Sequence, residues 1–239
     1  MRIEGAVTMV TGANRGLGKA FADELAARGA ATVYAAARDP ASVTGHTPVE
    51  LDITDEASVE AAARRCGDVA LLINNAGIAG AAPLIGEPST ARARELMETN
   101  YFGTLAMCRA FAPVLARNGG GALVNMLSVV SFFSVPAMGA FCTTKAALWS
   151  LTNGVRVELR AQGTQVVGVH ASFIDTRLAT GFAGRKHAPS DIAAQVLDAV
   201  EAGEEEVLAD ERTRQMKAAL PREHELIYPE VQRQWEAGA

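Results

Sequence analysis

The sequence predicts an α/β fold, one parallel sheet of seven strands with helices on both faces. Three observations predict it. Apolar runs of strand length alternate with stretches whose apolar residues recur at helical spacing. That alternation builds a parallel sheet covered on both sides. A glycine-rich turn, Thr11-Gly-Ala-Asn-Arg-Gly-Leu-Gly18, joins the first strand to the first helix. The 239 residues, 49% hydrophobic and 21% charged, contain no repeat, low-complexity tract or linker, so one domain over 1–239 is expected.

In order, Ala6–Val10 reads as a buried strand. Lys19–Arg28 is a helix, with Ala20, Phe21, Leu25 and Ala26 on its apolar side. Ala31–Ala37 is the second strand and Val49–Leu51 a short third. Glu56–Arg65 is a helix opened by Thr54 or Asp55 as N-cap. Val69–Ile73 is the fourth strand, Thr90–Arg117 one long helix, Ala122–Met126 the fifth strand and Met138–Ala161 a second long helix. Val166–Val169 is the sixth strand, Asp191–Ala202 a helix and Val207–Ala209 the seventh strand. The last helix covers Glu211–Leu220, and a polar tail follows.

Composition excludes several classes. A net charge of −5 with no basic stripe argues against a nucleic-acid partner. Cys66, Cys108 and Cys142 form no CxxC pair and no metal-ligand pattern, which fits a reducing compartment and no metal. The start Met1–Gly5 has no apolar signal core, and no apolar stretch is long enough to span a bilayer. A cytoplasmic protein is expected.

In open parallel sheets, ligands bind at the carboxyl ends of the strands. The first such end is the glycine turn. Glycine permits close approach of a ligand to the main chain, and the following helix offers free N–H groups and a positive dipole end that suit a pyrophosphate. Gly12, Asn14, Arg15, Gly16, Leu17 and Gly18 are the candidate binding residues. After the second strand stand Ala36, Ala37 and Arg38. A ribose 2′-hydroxyl calls for an acid here and a 2′-phosphate for a cation, so Arg38, with Arg15, favours NADP(H) over NAD(H). Asp52 and Ile53 follow the third strand; Asp52 is placed either to accept from an adenine amino group or to cap a turn. Asn74-Asn75-Ala76-Gly77 follows the fourth, as a tight turn whose backbone faces a ribose or as a plain turn.

The TGxxxGxG turn at Thr11–Gly18, the NNAG turn at Asn74–Gly77 and the pair Ser128 and Lys145 together resemble the short-chain dehydrogenase/reductase family, from about Ile3 to about Thr176. The resemblance implies a doubly wound Rossmann-like fold that binds NAD(P)(H) and moves hydride to or from a carbonyl carbon. The cofactor half is expected over about 1–120 and the catalytic and substrate half over about 121–239. The family's catalytic Asn, Ser and Lys match Asn100, Ser128 and Lys145. Its Tyr position, four before the lysine, is occupied by Phe141. That tyrosine donates a proton to the carbonyl oxygen, with the lysine lowering its pKa. Phe141 keeps the ring and loses the hydroxyl, so very weak activity is expected. Three explanations stand open: a reductase altered at this position to trap a complex, a divergent reductase drawing its proton from another acid, and a cofactor-binding sensor without turnover. Cys142, about 100° around the helix from Phe141, is a poor substitute acid. After the sixth strand the family's Pro-Gly is replaced by Ala171-Ser172; Ile174 and Thr176 match positions that contact the nicotinamide amide and phosphates. His170 reads as structural.

The loop Val129–Pro136, with Phe132 and Phe133, and the later Phe173, Leu178 and Phe182 predict a pocket for an apolar or aromatic ketone, aldehyde or secondary alcohol. The helices over Thr90–Arg117 and Met138–Ala161 carry apolar residues on more than one face, which predicts a homodimer or homotetramer built on them, as in relatives.

Overall fold

In a computed structural model, which describes residues 1–180 and 186–237, all seven strands join one parallel sheet in the order β3-β2-β1-β4-β5-β6-β7. The strands are β1 (Val7–Thr11), β2 (Thr32–Ala37), β3 (Thr47–Glu50), β4 (Leu71–Asn74), β5 (Ala122–Met126), β6 (Gln165–His170) and β7 (Glu206–Leu208). The central strands read as unbroken apolar runs because both of their faces are covered. On one face α1 (Gly16–Ala27) and α6 (Pro189–Ala202) bury Phe21, Leu25, Ile192 and Val196. On the other, α2 (Glu56–Arg65), α4 (Thr104–Arg117) and α5 (Gly139–Leu159) bury Val59, Phe111, Leu115 and Leu159. The strand order reverses between β1 and β4, which places the glycine turn beside the Asn74–Gly77 turn.

Three expectations change. The long helix over Thr90–Arg117 is divided into α3 (Ala91–Met97), a π-helical stretch Glu98–Gly103 and α4. Its ladder is widened where Asn100 turns its side chain onto the backbone of Ile78 and where Gly103 packs against Ile53. Helical periodicity does not reveal one inserted residue. Secondly, the polar tail is folded: after α7 (Glu211–Ala219) come α8 (Glu223–Leu226) and α9 (Tyr228–Ala237). Leu220, Ile227, Tyr228 and Val231 supply one apolar edge that their charged neighbours mask in the sequence.

The third change follows from the second. Phe132 and Phe133 do not line a pocket; they are 5% and 6% exposed, packed with Val129 and Ile227 beneath the C-terminal helices. Phe182 lies outside the described residues. Strand and helix limits otherwise shift by one to three residues, as with α1, expected at Lys19–Arg28 and found at Gly16–Ala27, and β3, expected at Val49–Leu51 and found at Thr47–Glu50.

Candidate active site

The glycine turn is built by close contacts that exclude larger residues. Gly12 and Gly16 have φ of +66° and +54°, in the left-handed region. A Cβ on Gly18 would lie 2.1 Å from the Gly12 carbonyl oxygen. Leu17 points into the core at 8% exposure. Arg15 is the exposed, extended residue before α1, whose first turn has no side-chain cap and no acid. The free N–H groups there suit an anion. Asn14 donates to the Ser42 hydroxyl at 3.1 Å, tying the turn to the segment after β2.

That segment begins with exposed Arg38, which has no ion-pair partner among the described residues. The nearest acid in sequence, Asp39, spends one carboxylate oxygen on the Ala41 N–H at 3.0 Å. Asp52 caps its own turn through Thr54 N–H at 3.0 Å and the Thr54 hydroxyl at 2.7 Å, and these bonds lower its pKa. Its second oxygen accepts no hydrogen bond among the described residues, and the Arg38 charge nearby lowers its pKa further. Ile53 is buried against Gly103.

The two turns are stitched by a residue to which the sequence alone assigned no role. Thr11, 1% exposed, accepts through its hydroxyl from the N–H groups of Asn75 at 3.0 Å and Ala76 at 2.9 Å. Asn75 returns its amide to the Thr11 and Gly12 carbonyls at 2.9 and 3.4 Å. Asn75 is thus a fastener between turns, and Ala76 and Gly77 present the backbone. The signal was a threonine at the strand end directly before the first glycine. Asn74 is deeper, bonded to Asn125 Oδ1 at 2.9 Å.

Asn100 is 1% exposed in the π-helical stretch. Its oxygen accepts from Ile78 N–H at 2.9 Å; its amide donates to the Ile78 carbonyl at 2.9 Å and to Thr144 Oγ1 at 3.1 Å. Thr144 passes a bond to the Phe141 carbonyl at 2.8 Å. A short polar chain therefore links Asn100 to the backbone of residue 141.

Lys145 sits one helical turn beyond Phe141 on α5. Its ammonium donates to the Met126 carbonyl at 2.8 Å, at the end of β5, and lies 5.8 Å from the Phe141 ring centre. Desolvation lowers its pKa to about 8, and among the described residues no carboxylate pairs with it. Ser128 stands two residues past Met126. Its Oγ accepts from Val130 N–H at 3.3 Å, while its own N–H donates to Ser131 Oγ at 3.2 Å. This reciprocal capping box fixes the side chain and leaves the hydroxyl proton free to donate. Cys142 is 2% exposed, accepts from Val135 N–H at 3.5 Å and has its pKa raised by burial, so it remains a thiol.

His170 backs Ser128. Its Nδ1 donates to the Ser128 carbonyl at 3.2 Å, and its ring stacks on Phe132 at 4.2 Å. A carbonyl only accepts, which assigns the proton to Nδ1. Nε2 is left without a hydrogen bond, 3.7 Å from a Glu206 carboxylate oxygen. Burial drives the pKa down to about 4, so the ring is neutral.

The loop after β6 spans the gap between these groups. Its first carbonyl, Ala171, accepts from Val129 N–H at 2.9 Å, and Thr176 lies 3.3 Å from where a Cβ on Gly16 would sit. Ile174 pairs with His187 as an isolated bridge. The expected residues thus follow the C-terminal ends of β1 to β6, except Asn100 in the π-helical stretch and Phe141 and Lys145 on α5, where Lys145 reaches the end of β5. Among the described residues no cluster of three His, Cys, Asp or Glu is arranged to hold a metal, and no helix is long and apolar enough to cross a membrane.

Comparison with known proteins agrees with this fold. The family model for short chain dehydrogenases matches residues 6–186. A short chain dehydrogenase from Burkholderia cenocepacia J2315, solved in complex with NADP, superposes with a TM-score of 0.92 at 37% identity over 97% of this chain and 99% of that one. Sorbitol dehydrogenase of Cereibacter sphaeroides is 31% identical over 233 residues, 92% of this chain and 85% of its own. An NADP-dependent 3-hydroxy acid dehydrogenase of Schizosaccharomyces pombe is 29% identical over 238 residues, 87% of this chain and 92% of its own. The chain belongs to the short-chain dehydrogenase/reductase family, whose members are NAD(P)-dependent oxidoreductases.

Proposed function

We propose that this protein is an NADP(H)-dependent carbonyl reductase or alcohol dehydrogenase for apolar ketones, held at low activity by Phe141. The observation that carries the reading is the seat of Lys145, between the Met126 carbonyl two residues before Ser128 and the ring of Phe141.

The residues present fit the cofactor. An uncapped helix N-terminus and two left-handed glycines form a cradle that a Cβ would fill. Arg38, unpaired and exposed beyond Ala37, would hold a 2′-phosphate, with Arg15 beside it. Asp52 and Ile53 would meet the adenine, Ala76 and Gly77 a ribose, and Ile174 and Thr176 the nicotinamide end. When bound, the cofactor supplies or accepts the hydride. Residues before about 120 would form the cofactor half and those after it the catalytic and substrate half, from which Lys145, Ile174 and Thr176 reach back to the cofactor.

Ser128, its Oγ held by the Val130 N–H, would donate a hydrogen bond to the carbonyl oxygen and polarise it. The Lys145 ammonium would orient ribose hydroxyls and supply the oxygen's proton through a water. Asn100, bonded through Thr144 to the Phe141 carbonyl, would hold that stretch of α5 in register. Phe141 offers no proton, so the strongest general acid of the family's set is missing. The same feature favours a second reading, an NADP(H)-binding sensor without turnover.

Support for an apolar substrate no longer includes Phe132 and Phe133. It rests on Phe141 and on Leu84, Ile85 and Leu178, which are 60%, 94% and 56% exposed in the loops after β4 and β6. Strict preference for one small anionic substrate would contradict it. Calorimetric titration with NADPH and NADH tests the cofactor assignment. NADPH is expected to bind at least about tenfold tighter, and Arg38→Ala to abolish that difference, the effect of one charge-assisted phosphate contact. Equal affinities in the parent protein would overturn it.

A further inference from the structure

The loop after β6 has to stand still for the nicotinamide end to be held, yet it carries Ala171-Ser172 where the family's rigid Pro-Gly is found. The structure supplies a fastening from outside the site. Asp210, 5% exposed at the end of the β7 segment, accepts from Ser172 N–H through Oδ2 at 2.7 Å. Its other oxygen accepts from Thr213 N–H at 2.8 Å and from the Thr213 hydroxyl at 2.9 Å, capping α7. One carboxylate thus joins a helix start to the loop. Two residues on, the Arg212 guanidinium lies 5.6 Å from the Phe173 ring centre. The first turn of α7 therefore grips two successive residues of the loop. From Ser172 the chain continues to Ile174, which bridges to His187, and to Thr176, which rests against Gly16 of the cofactor turn.

We infer that Asp210 is a positioning residue, holding the β6 loop by the Ser172 N–H so that Ile174 and Thr176 meet the nicotinamide half of the cofactor. This rests on the cofactor reading above. Asp210 touches neither cofactor nor substrate; it acts through the loop. Ser172 donates to it by main chain, so the residue at 172 has only to retain its N–H.

The test separates the nicotinamide from the rest of the cofactor. NADPH and 2′-phospho-ADP-ribose, which lacks the nicotinamide ring, are titrated against the parent protein, Asp210→Asn and Asp210→Ser. Serine keeps the helix cap but is too short to reach Ser172, so it separates capping from clamping if the Asn variant fails to fold. Both variants are expected to bind NADPH about tenfold more weakly, the effect of losing one hydrogen bond to a charged group, and 2′-phospho-ADP-ribose within about twofold of the parent. Equal weakening of both ligands assigns Asp210 a merely structural role and overturns the proposal, as does no change in either. A parent protein that binds neither ligand overturns the cofactor reading and this proposal with it.

Discussion

At residue 170 a neutral imidazole is buried against an aromatic ring, with one nitrogen satisfied and one bare. Its folded pKa of about 4 lies below the ordinary histidine value of about 6.5. The unfolded chain therefore takes up the proton first as the pH falls. Stability from this residue is fully present above about 6.5 and is lost as pH drops toward 4, about 3 kcal/mol over the window. Denaturant unfolding at pH 7 and pH 4.5 should show that loss, and His170→Asn, which mimics Nδ1 without titrating, should flatten it. An unchanged slope in the variant would show that His170 is not the titrating group. The same scale shows what could be read beforehand. Ser128, Lys145 and Phe141 could be picked out beforehand through their match to the family's motif positions. Thr11, Thr144 and Asp210 were not, because a buried hydroxyl or carboxylate that braces a neighbour carries no spacing signature. Asp210 left only the weak trace of an acid just before a helix, three residues ahead of Thr213.

At the scale of elements, the seven strands were readable from apolar runs and the turns between them, while the doubly wound arrangement came from the family resemblance. The π-helical stretch at Glu98–Gly103 was hidden, since apolar spacing survives a single inserted residue. The C-terminal helices were hidden because charge dominates their composition, although Ile227 alone is 3% exposed. These helices decide the fate of Phe132 and Phe133, converting an expected pocket wall into core that supports the Ser128 loop. Ile227→Ala should therefore cost about 2–5 kcal/mol in chemical denaturation, as large-to-small changes in a core do. A change below about 0.5 kcal/mol, the range of ordinary surface substitutions, would mean that the tail does not cover that loop.

For the whole molecule, one parallel sheet brings its strand ends to a common edge, and the candidate residues follow the ends of β1 to β6 or stand on the helical segments that carry Asn100, Phe141 and Lys145. Local sequence fixed neither the contacts that join these ends nor the substrate, because both depend on loops far apart in the chain. The exposed apolar groups Phe102, in the π-helical stretch, and Val157, on α5, are 49% and 74% accessible. They favour self-association through these helices, and light scattering should give a dimer or tetramer mass. A monomer mass would contradict it. The central claim is that an intact reductase site lacks one hydroxyl. Its most direct test is NADPH oxidation with a panel of aryl ketones by the parent protein and by Phe141→Tyr under identical conditions. The account predicts a rise of at least about tenfold, toward the 10²–10⁴-fold of a general acid; equal, flat rates in both proteins would contradict it and favour the sensor.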